Sequence, residues 1–384
     1  MDSSLINAAL NNRDIILSII RKAQYSTKCN VRWRQLPEKS DDEFEYSAED
    51  GGDMVSEFDT FTLYMVKSYS SFFNPLSQPH KYALVGLLIP PKYALYRVST
   101  YREVLEAKAS LDAVPQDGLF LFDGSIFPVV TWWAPRTSIK DGKRLSELIE
   151  VSQEKVGDAG IEYNKLMDMS LNHPQVPVIL MDMALKRGEI EGKEEWYLAL
   201  EIFEKLFIYK ELIKKIWKRG SIPIYITKTS RSTKLCGLNL PDVHILKRLR
   251  PLKPGYVLWE DSLGIGVYDR IGEGAETMYP ETGGIRDFYT KRLGILKIYA
   301  RLSQGGSILQ IEALFDASKG IPNAEEFSEE VLAKILSIPM QRGYPTPLVL
   351  AHHHAVITRR DMESIIKVSG LEGETREREM LVYF

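Results

Sequence analysis

Residues 118–125 read GLFLFDGS, with four apolar side chains from Leu119 to Phe122 running into an acid, a glycine and a serine. A short unbroken apolar run of this kind reads as a strand buried on both faces. The Asp-Gly pair then ends the strand and turns the chain. Asp123 is thereby predicted at the tip of a core strand, where open α/β sheets hold their reactive groups. The plain alternative is that Asp123 only makes the turn, a common use of Asp-Gly. A similar place upstream, Glu49-Asp50-Gly51-Gly52, weighs against that alternative.

Working outward, residues 60–69 (TFTLYMVKSY) and 81–89 (KYALVGLLI) read as strands, and 94–98 as a short extension of the second. A first strand is expected beside Asp50, preceded by an acidic loop over 38–49. Residues 99–112 carry a helix signature, with Ser99 or Thr100 as cap and Glu103 three residues after Thr100. Val104, Leu105, Lys108 and Leu111 form its packed stripe. The order is strand, strand, strand, helix, strand, with acids at the first and last strands.

Beyond Ser125, residues 126–133 are expected to be extended, 143–170 helical, and 176–182 a strand ending in Asp182. Residues 196–219 read as a basic amphipathic helix and 222–227 as a strand running into the turn Lys228-Thr229-Ser230-Arg231. Strands are expected at 256–259, 295–300 and 308–314, the last two paired across Gln304-Gly305-Gly306. Helices are expected at 326–336 and 361–368. Residues 4–24 show helical apolar spacing, suited to packing on a partner or a second copy. The expected layout is a helical segment over 1–40, one α/β domain over 41–370 with an insertion at about 140–195, and a tail over 371–384.

A chain of 384 residues with 44% hydrophobic and 26% charged residues suits a globular protein. No basic leader and no apolar run of membrane length stands out, so a cytoplasmic protein without membrane contact is expected. Two cysteines make no disulfide framework and suit a reducing compartment. The net charge of −3 gives no overall attraction for nucleic acid, but the charge is unevenly spread. Residues 38–59 hold ten acids and one base, whereas 205–253 hold thirteen bases and two acids. A basic region beside an acidic centre suits a polyanion guided to a cation-loaded site; the bland alternative is a pair of solvated faces.

Asp50, Glu106 and Asp123 form the candidate chemistry. The interval from Glu106 to Asp123 leaves room for the helix to fold back beside the strand tip. Gathered carboxylates resist ionising together, and a divalent cation relieves this, with Mg²⁺ and Mn²⁺ suited to hard oxygen ligands. Such an ion activates water and stabilises charge on a phosphodiester. Glu103, one turn from Glu106, is the alternative ligand. Asp182 is a weaker candidate, since no Gly-Ser follows it. Among His352, His353 and His354, at most one or two can face a single site.

Four stretches in this order resemble the NurA nucleases, partners of the HerA hexameric DNA translocase. AEDGGDMVSEFDTFTLYMVKSYSSF resembles the family's Asp-Gly-Gly strand, and EVLEAKASLDAVPQDGLFLFDGS its catalytic helix leading to Asp-Gly-Ser. ITKTSRSTKL resembles its basic motif, and GYPTPLVLAHHHAVI its C-terminal Gly-Tyr-Pro and Ala-His motif. The resemblance implies an RNase H-like mixed sheet flanked by helices, with helical insertions and a C-terminal extension. It implies Mn²⁺- or Mg²⁺-dependent DNA cleavage, a homodimer, and work beside a HerA-type ATPase in DNA-end processing. It assigns Asp50, Glu106, Asp123 and His352 to metal binding, Tyr344 to the active site, and Lys228 and Arg231 to DNA. Two other readings stand beside it. One is an actin- or sugar-kinase-like phosphotransferase, for which no second Asp-Gly phosphate loop is apparent. The other is a catalytically silent adaptor on a ring motor.

Overall fold

The computed structural model describes residues 3–18, 29, 31–89, 93–130, 163–177, 194–237, 240–249, 253–265, 279 and 282–374. Helix α1 (Ser3–Asn11) leads, and Leu5, Ile6 and Leu10 on it are exposed. Residues 13–18 are helical as well, and the rest of the helix expected over 4–24 lies outside the described residues. After the short β1 (Trp33–Arg34), the strands β2 (Tyr46–Glu57), β3 (Thr62–Asn74) and β4 (His80–Leu88) form an antiparallel meander. Aromatic and β-branched residues along β3 favour this pleated, buried setting. Exposure alternates along β4, as suits an edge strand with one face in solvent.

Helix α2 (Ala94–Leu111) crosses back, and β5 (Leu119–Asp123) pairs parallel to β2. The short α3 (Ile126–Val130) and α4 (Tyr163–Asn172) follow. The long α5 (Glu194–Lys218) leads into β6 (Ile222–Thr227), which is parallel to β5. Then come α6 (Asp242–Leu249), β7 (Gly255–Val257), β8 (Leu263–Ile265), and the hairpin of β9 (Leu293–Arg301) with β10 (Leu309–Asp316). The chain ends in α7 (Ala324–Ser337), a small ribbon of β11 (Met340–Gln341) and β12 (Tyr344–Pro345), α8 (Thr346–Ala355) and α9 (Arg359–Val368). The strands join in a ten-stranded mixed sheet, β1-β7-β9-β10-β6-β5-β2-β3-β4, with β8 on β9.

Helices cover both faces of this sheet. Phe122 and Tyr225 pack with α5 side chains such as Phe203, Leu206 and Tyr209 on one face. Leu121, Ile224 and Ile311 pack with Leu332 of α7 and Leu348 of α8 on the other. Strand β5 therefore reads as an unbroken apolar run because both of its faces are buried. Between α2 and α5 the contact is ionic as well as apolar. Arg97 pairs with Glu201 at 2.6 Å, Lys108 with Glu204 at 3.0 Å, and Lys205 with Glu103 at 2.9 Å.

Several expectations are corrected. Residues 46–49 belong to β2, not to the acidic loop. Residues 94–98 open α2 instead of extending a strand, so Thr100 lies inside the helix, where its hydroxyl donates to the Tyr96 carbonyl. Glu103 then faces Lys205 and forms no capping box. Residues 126–130 are helical, not extended. Cys29 and Cys236 form a disulfide across 207 positions, a pairing that sequence spacing does not reveal. Residues 131–133, Asp182 and most of the insertion at 140–195 lie outside the described residues. Among the described residues, no helix is long and apolar enough to cross a membrane.

Candidate active site

Strands β2 and β5 run parallel with Glu49 opposite Phe122, so the next residues along, Asp50 and Asp123, sit side by side on one face. Helix α8 covers that face and brings His352, whose Nδ1 lies 2.7 Å from Oδ2 of Asp50. One ligand atom from each of Asp50, Asp123 and His352 falls within 4.8 Å of the others. These side chains come from positions far apart in the chain, and the sheet register and α8 draw them to one point. Burial, followed by the nearby Asp123 charge, raises the pKa of Asp50, although its bonds to His352 and the Gly51 amide oppose this. The cluster thus has the donor set and the unfavourable charge that a divalent cation relieves.

Tyr344 and Lys228 hold Asp123 from the other side. The Tyr344 hydroxyl donates to Oδ1 of Asp123 at 2.9 Å, and Lys228 Nζ lies 3.6 Å from Oδ2. The same ammonium sits 3.7 Å from the centroid of the Tyr344 ring, a cation–π contact. Burial and the Asp123 charge push the Tyr344 pKa far up, so the phenol keeps its proton and acts as a donor. Gly124, with φ of 114°, makes the turn after Asp123 in a conformation that favours glycine.

Glu106 approaches the same place from the opposite face of β2. A Cβ at Gly51 would lie 2.1 Å from Oε1 of Glu106, so only glycine lets this carboxylate in. Gly52 serves the other face in the same way, since a Cβ there would lie 2.3 Å from the Ala355 carbonyl at the end of α8. Glu106 pairs with Arg102 at 2.6 Å. Burial raises its pKa to about 8; Arg102 opposes the rise and Asp50 adds to it. Glu106 is not in the close group of Asp50, Asp123 and His352. Glu103 lies farther off in charge contact with Lys205 and Arg102.

The structure separates the three histidines as helical geometry requires. His352 joins the cluster, whereas His354 stacks on Tyr69 at 4.6 Å, outside it. Arg231 stands apart from the carboxylates, on the wall of a neighbouring cavity. Trp259 packs on Tyr299 within the fold. Sequence reasoning missed Glu49 and Arg102. Glu49 is 3% exposed, its Oε2 has no hydrogen-bond partner, and burial with Glu106 and Asp50 nearby raises its pKa well above the usual range. Its place one residue before Asp50 was visible, but its burial depends on α2 and α5. Arg102 was within reach of a reading of α2, since it stands four residues before Glu106, a spacing that pairs charges on a helix.

The fold and site define a mixed α/β protein in which Asp123 at the tip of β5, Asp50 inside the neighbouring β2 and His352 on the covering helix converge. The NurA domain model matches residues 44–357, and the chain belongs to the NurA family. It is 26% identical over 355 residues to the DNA double-strand break repair nuclease NurA of Sulfurisphaera tokodaii, covering 91% of this chain and 88% of that protein. It is 21% identical over 287 residues to the protein of the same name from Saccharolobus solfataricus, covering 74% and 68% of the two chains. Among solved structures, the NurA nuclease from Sulfolobus solfataricus superposes with a TM-score of 0.68 at 19% identity, over 97% of both chains. A NurA structure bound to dAMP and manganese superposes with a TM-score of 0.52 at 18% identity, over 98% and 96% of the chains.

Proposed function

We propose that this protein is a metal-dependent DNA nuclease of double-strand break repair. The observation that carries this reading is the convergence of Asp50, Asp123 and His352 within 4.8 Å in a NurA-family chain. Asp50, Asp123 and His352, with Glu106 behind Gly51, are the residues that would hold Mn²⁺ or Mg²⁺. A cation bound there supplies Lewis-acid stabilisation of the attacked phosphodiester and an acidified water. Tyr344 fixes Asp123 through its hydrogen bond and stays protonated as it does so. Lys228, half-exposed beside Asp123, offers its ammonium to a DNA phosphate, and Arg231 extends the positive surface on the same turn.

The strand order β4-β3-β2-β5-β6, with a meander followed by two strands parallel to β2, supports the RNase H-like assignment. Family membership supports action as a homodimer beside a HerA-type hexameric ATPase in DNA-end processing. The test is cleavage of linear and single-stranded DNA by the wild type and Asp123→Asn, with Mn²⁺, with Mg²⁺ and with EDTA. The wild type is expected to cut only with a divalent ion, and the variant to bind DNA without cutting. Equal cleavage by the two proteins, or cleavage in EDTA, overturns the reading.

A further inference from the structure

Strand β10 is buried along its whole length, yet it carries Gln310 and Glu312 in its interior, 3% and 0% exposed. Burying a carboxylate is costly unless it is paired and hydrogen-bonded. What these two side chains hold is therefore informative. Oε2 of Glu312 accepts from the Ser125 hydroxyl at 2.8 Å and from the Ile126 amide at 3.0 Å. Oε1 accepts from Nε2 of Gln310 at 2.6 Å, with Lys297 Nζ 3.7 Å away. Oε1 of Gln310 in turn accepts from the Ser230 hydroxyl at 2.5 Å and lies 3.1 Å from the Tyr299 hydroxyl. That phenol is also 3.1 Å from Oδ2 of Asp242, whose carboxylate accepts the amides of Leu235 and Cys236.

This chain of bonds joins two turns that flank the aspartate cluster. One is Gly124-Ser125, immediately after Asp123. The other is the turn after β6, which carries Lys228 and Arg231. Strand alternation puts the chain of bonds behind the site. Asp123 and its neighbour across the register, Ile226, face α8, whereas Glu312 and its neighbour Tyr225 face α5. Glu312 therefore reaches Asp123 through the two residues that follow Gly124. A glycine leaves that turn conformationally free, so the bonds on either side of it decide where the Asp123 carboxylate sits.

We propose that Glu312 is a positioning residue for the nuclease site. It fixes Asp123 beside Asp50 through Ser125 and Ile126, and through Gln310 it holds the basic turn in place beside them. The inference rests on the nuclease reading.

Mn²⁺ and DNA titrations of cleavage by the full chain test it. Glu312→Gln offers one acceptor oxygen in place of two. The Mn²⁺ concentration at half-maximal rate should rise about tenfold or more, and kcat should fall by a similar factor. Gln310→Leu cuts the bridge to the basic turn but leaves the grip on Ser125. It should raise the DNA concentration at half-maximal rate about fivefold, the worth of one hydrogen bond, with the Mn²⁺ requirement unchanged. Asp316→Asn, at the end of the same strand, breaks the pair with Arg292 and should move thermal stability alone. In EDTA, amide hydrogen exchange over residues 124–128 should quicken in Glu312→Gln and not in Asp316→Asn. If Glu312→Gln does not fold, Ser125→Ala carries the test, with a rise of about threefold expected in the Mn²⁺ requirement; an unchanged requirement then overturns the inference. Wild-type constants in a folded Glu312→Gln, or equal changes in Asp316→Asn, overturn it too, since Glu312 would then only anchor the hairpin. A wild type that neither binds Mn²⁺ nor cuts DNA overturns the nuclease reading and this inference with it, whereas a working wild type with an unaffected Glu312→Gln overturns this inference alone.

Discussion

Two sets of acids meet on opposite faces of β2, and they are neutralised in opposite ways. On the helix face, Glu103 lies against Lys205 and Arg102, and Glu201 and Glu204 lie against Arg97 and Lys108. These charges are satisfied within the chain, and they fix how α2 packs on α5. On the α8 face, Asp50 and Asp123 lie beside each other with one histidine and a half-exposed lysine for company. That set is the one the proposed cation would complete. Glu106 belongs to both sets, paired with Arg102 yet pressed against Gly51 beside Asp50. The contrast separates a structural use of buried charge from a chemical one.

The largest expected effect falls on the incomplete set. If Asp50 holds the metal as proposed, Asp50→Asn removes a ligand and one of two repelling charges, so cleavage should fall on the order of a thousandfold or more. Thermal stability without metal should hold or rise, because the variant removes a costly charge. A marked loss of stability in EDTA would place Asp50 with the structural acids instead.

The paired set should show the reverse pattern. Glu201→Gln leaves the guanidinium of Arg97 buried without its counter-charge, since the two side chains are only 0% and 3% exposed. A loss of about 3 kcal/mol in unfolding free energy is expected, read by urea denaturation. The cleavage rate per folded molecule should stay near the wild-type value. A large drop in that rate would show that the ionic ladder between α2 and α5 also tunes the site.

Glu106 sharpens the comparison, and Glu103 is its control. If Glu106 reaches the metal past Gly51, Glu106→Gln should slow cleavage by about a hundredfold and weaken Mn²⁺ binding. Glu103→Gln should act on stability, because it strands the buried Lys205 ammonium. Equal kinetic losses in the two variants would dissolve the distinction.

How much of this arrangement was legible depends on how far each residue's partners lie along the chain. Strand β5 and the tip position of Asp123 could be read directly, because an apolar run ending in Asp-Gly has few other solutions. The Gly51-Gly52 pair was misleading. The first strand was expected only beside Asp50 after a loop over 38–49, yet both glycines lie well inside β2, which starts at Tyr46. Their reason is tertiary: the Glu106 carboxylate and the Ala355 carbonyl occupy the spaces where their Cβ atoms would go. Residues 94–98 were expected to extend a strand but open α2, where Arg97 meets Glu201 of α5 across 104 positions, a contact that local reading cannot see. The Cys29–Cys236 bond is equally invisible to local reasoning. The places of Tyr344 and His352 came from family resemblance, and the interval between the two favoured His352 over its neighbours.

A titration distinguishes the sets without mutation. The folded chain holds the Glu106 proton up to about pH 8, whereas an unfolded glutamate releases its proton near pH 4.3. Between these values the folded state binds more protons, so metal-free stability should fall as pH rises through the window. The raised pKa of Asp50 acts in the same direction. Melting temperatures in EDTA should therefore drop from about pH 6 to about pH 8, and the Mn²⁺-induced rise should grow over the same interval. A Mn²⁺ shift that does not change with pH would mean that the acids are already ionised before the metal arrives.

The smallest expected effect concerns the histidines. His352 lies within 2.7 Å of Asp50, but it is the most exposed member of the cluster, with 56% of its side chain in solvent. As a proposed ligand, a residue so placed contributes less than a buried carboxylate and is more easily replaced by water. His352→Ala should therefore slow cleavage by about tenfold and raise the Mn²⁺ concentration needed for half-maximal rate. His353→Ala, one position along α8 and outside the cluster, should leave both unchanged. If His353→Ala has the larger effect, α8 is rotated from the position described here, and the division between the two faces of β2 must be redrawn with Asp50 and Asp123 as the only ligands.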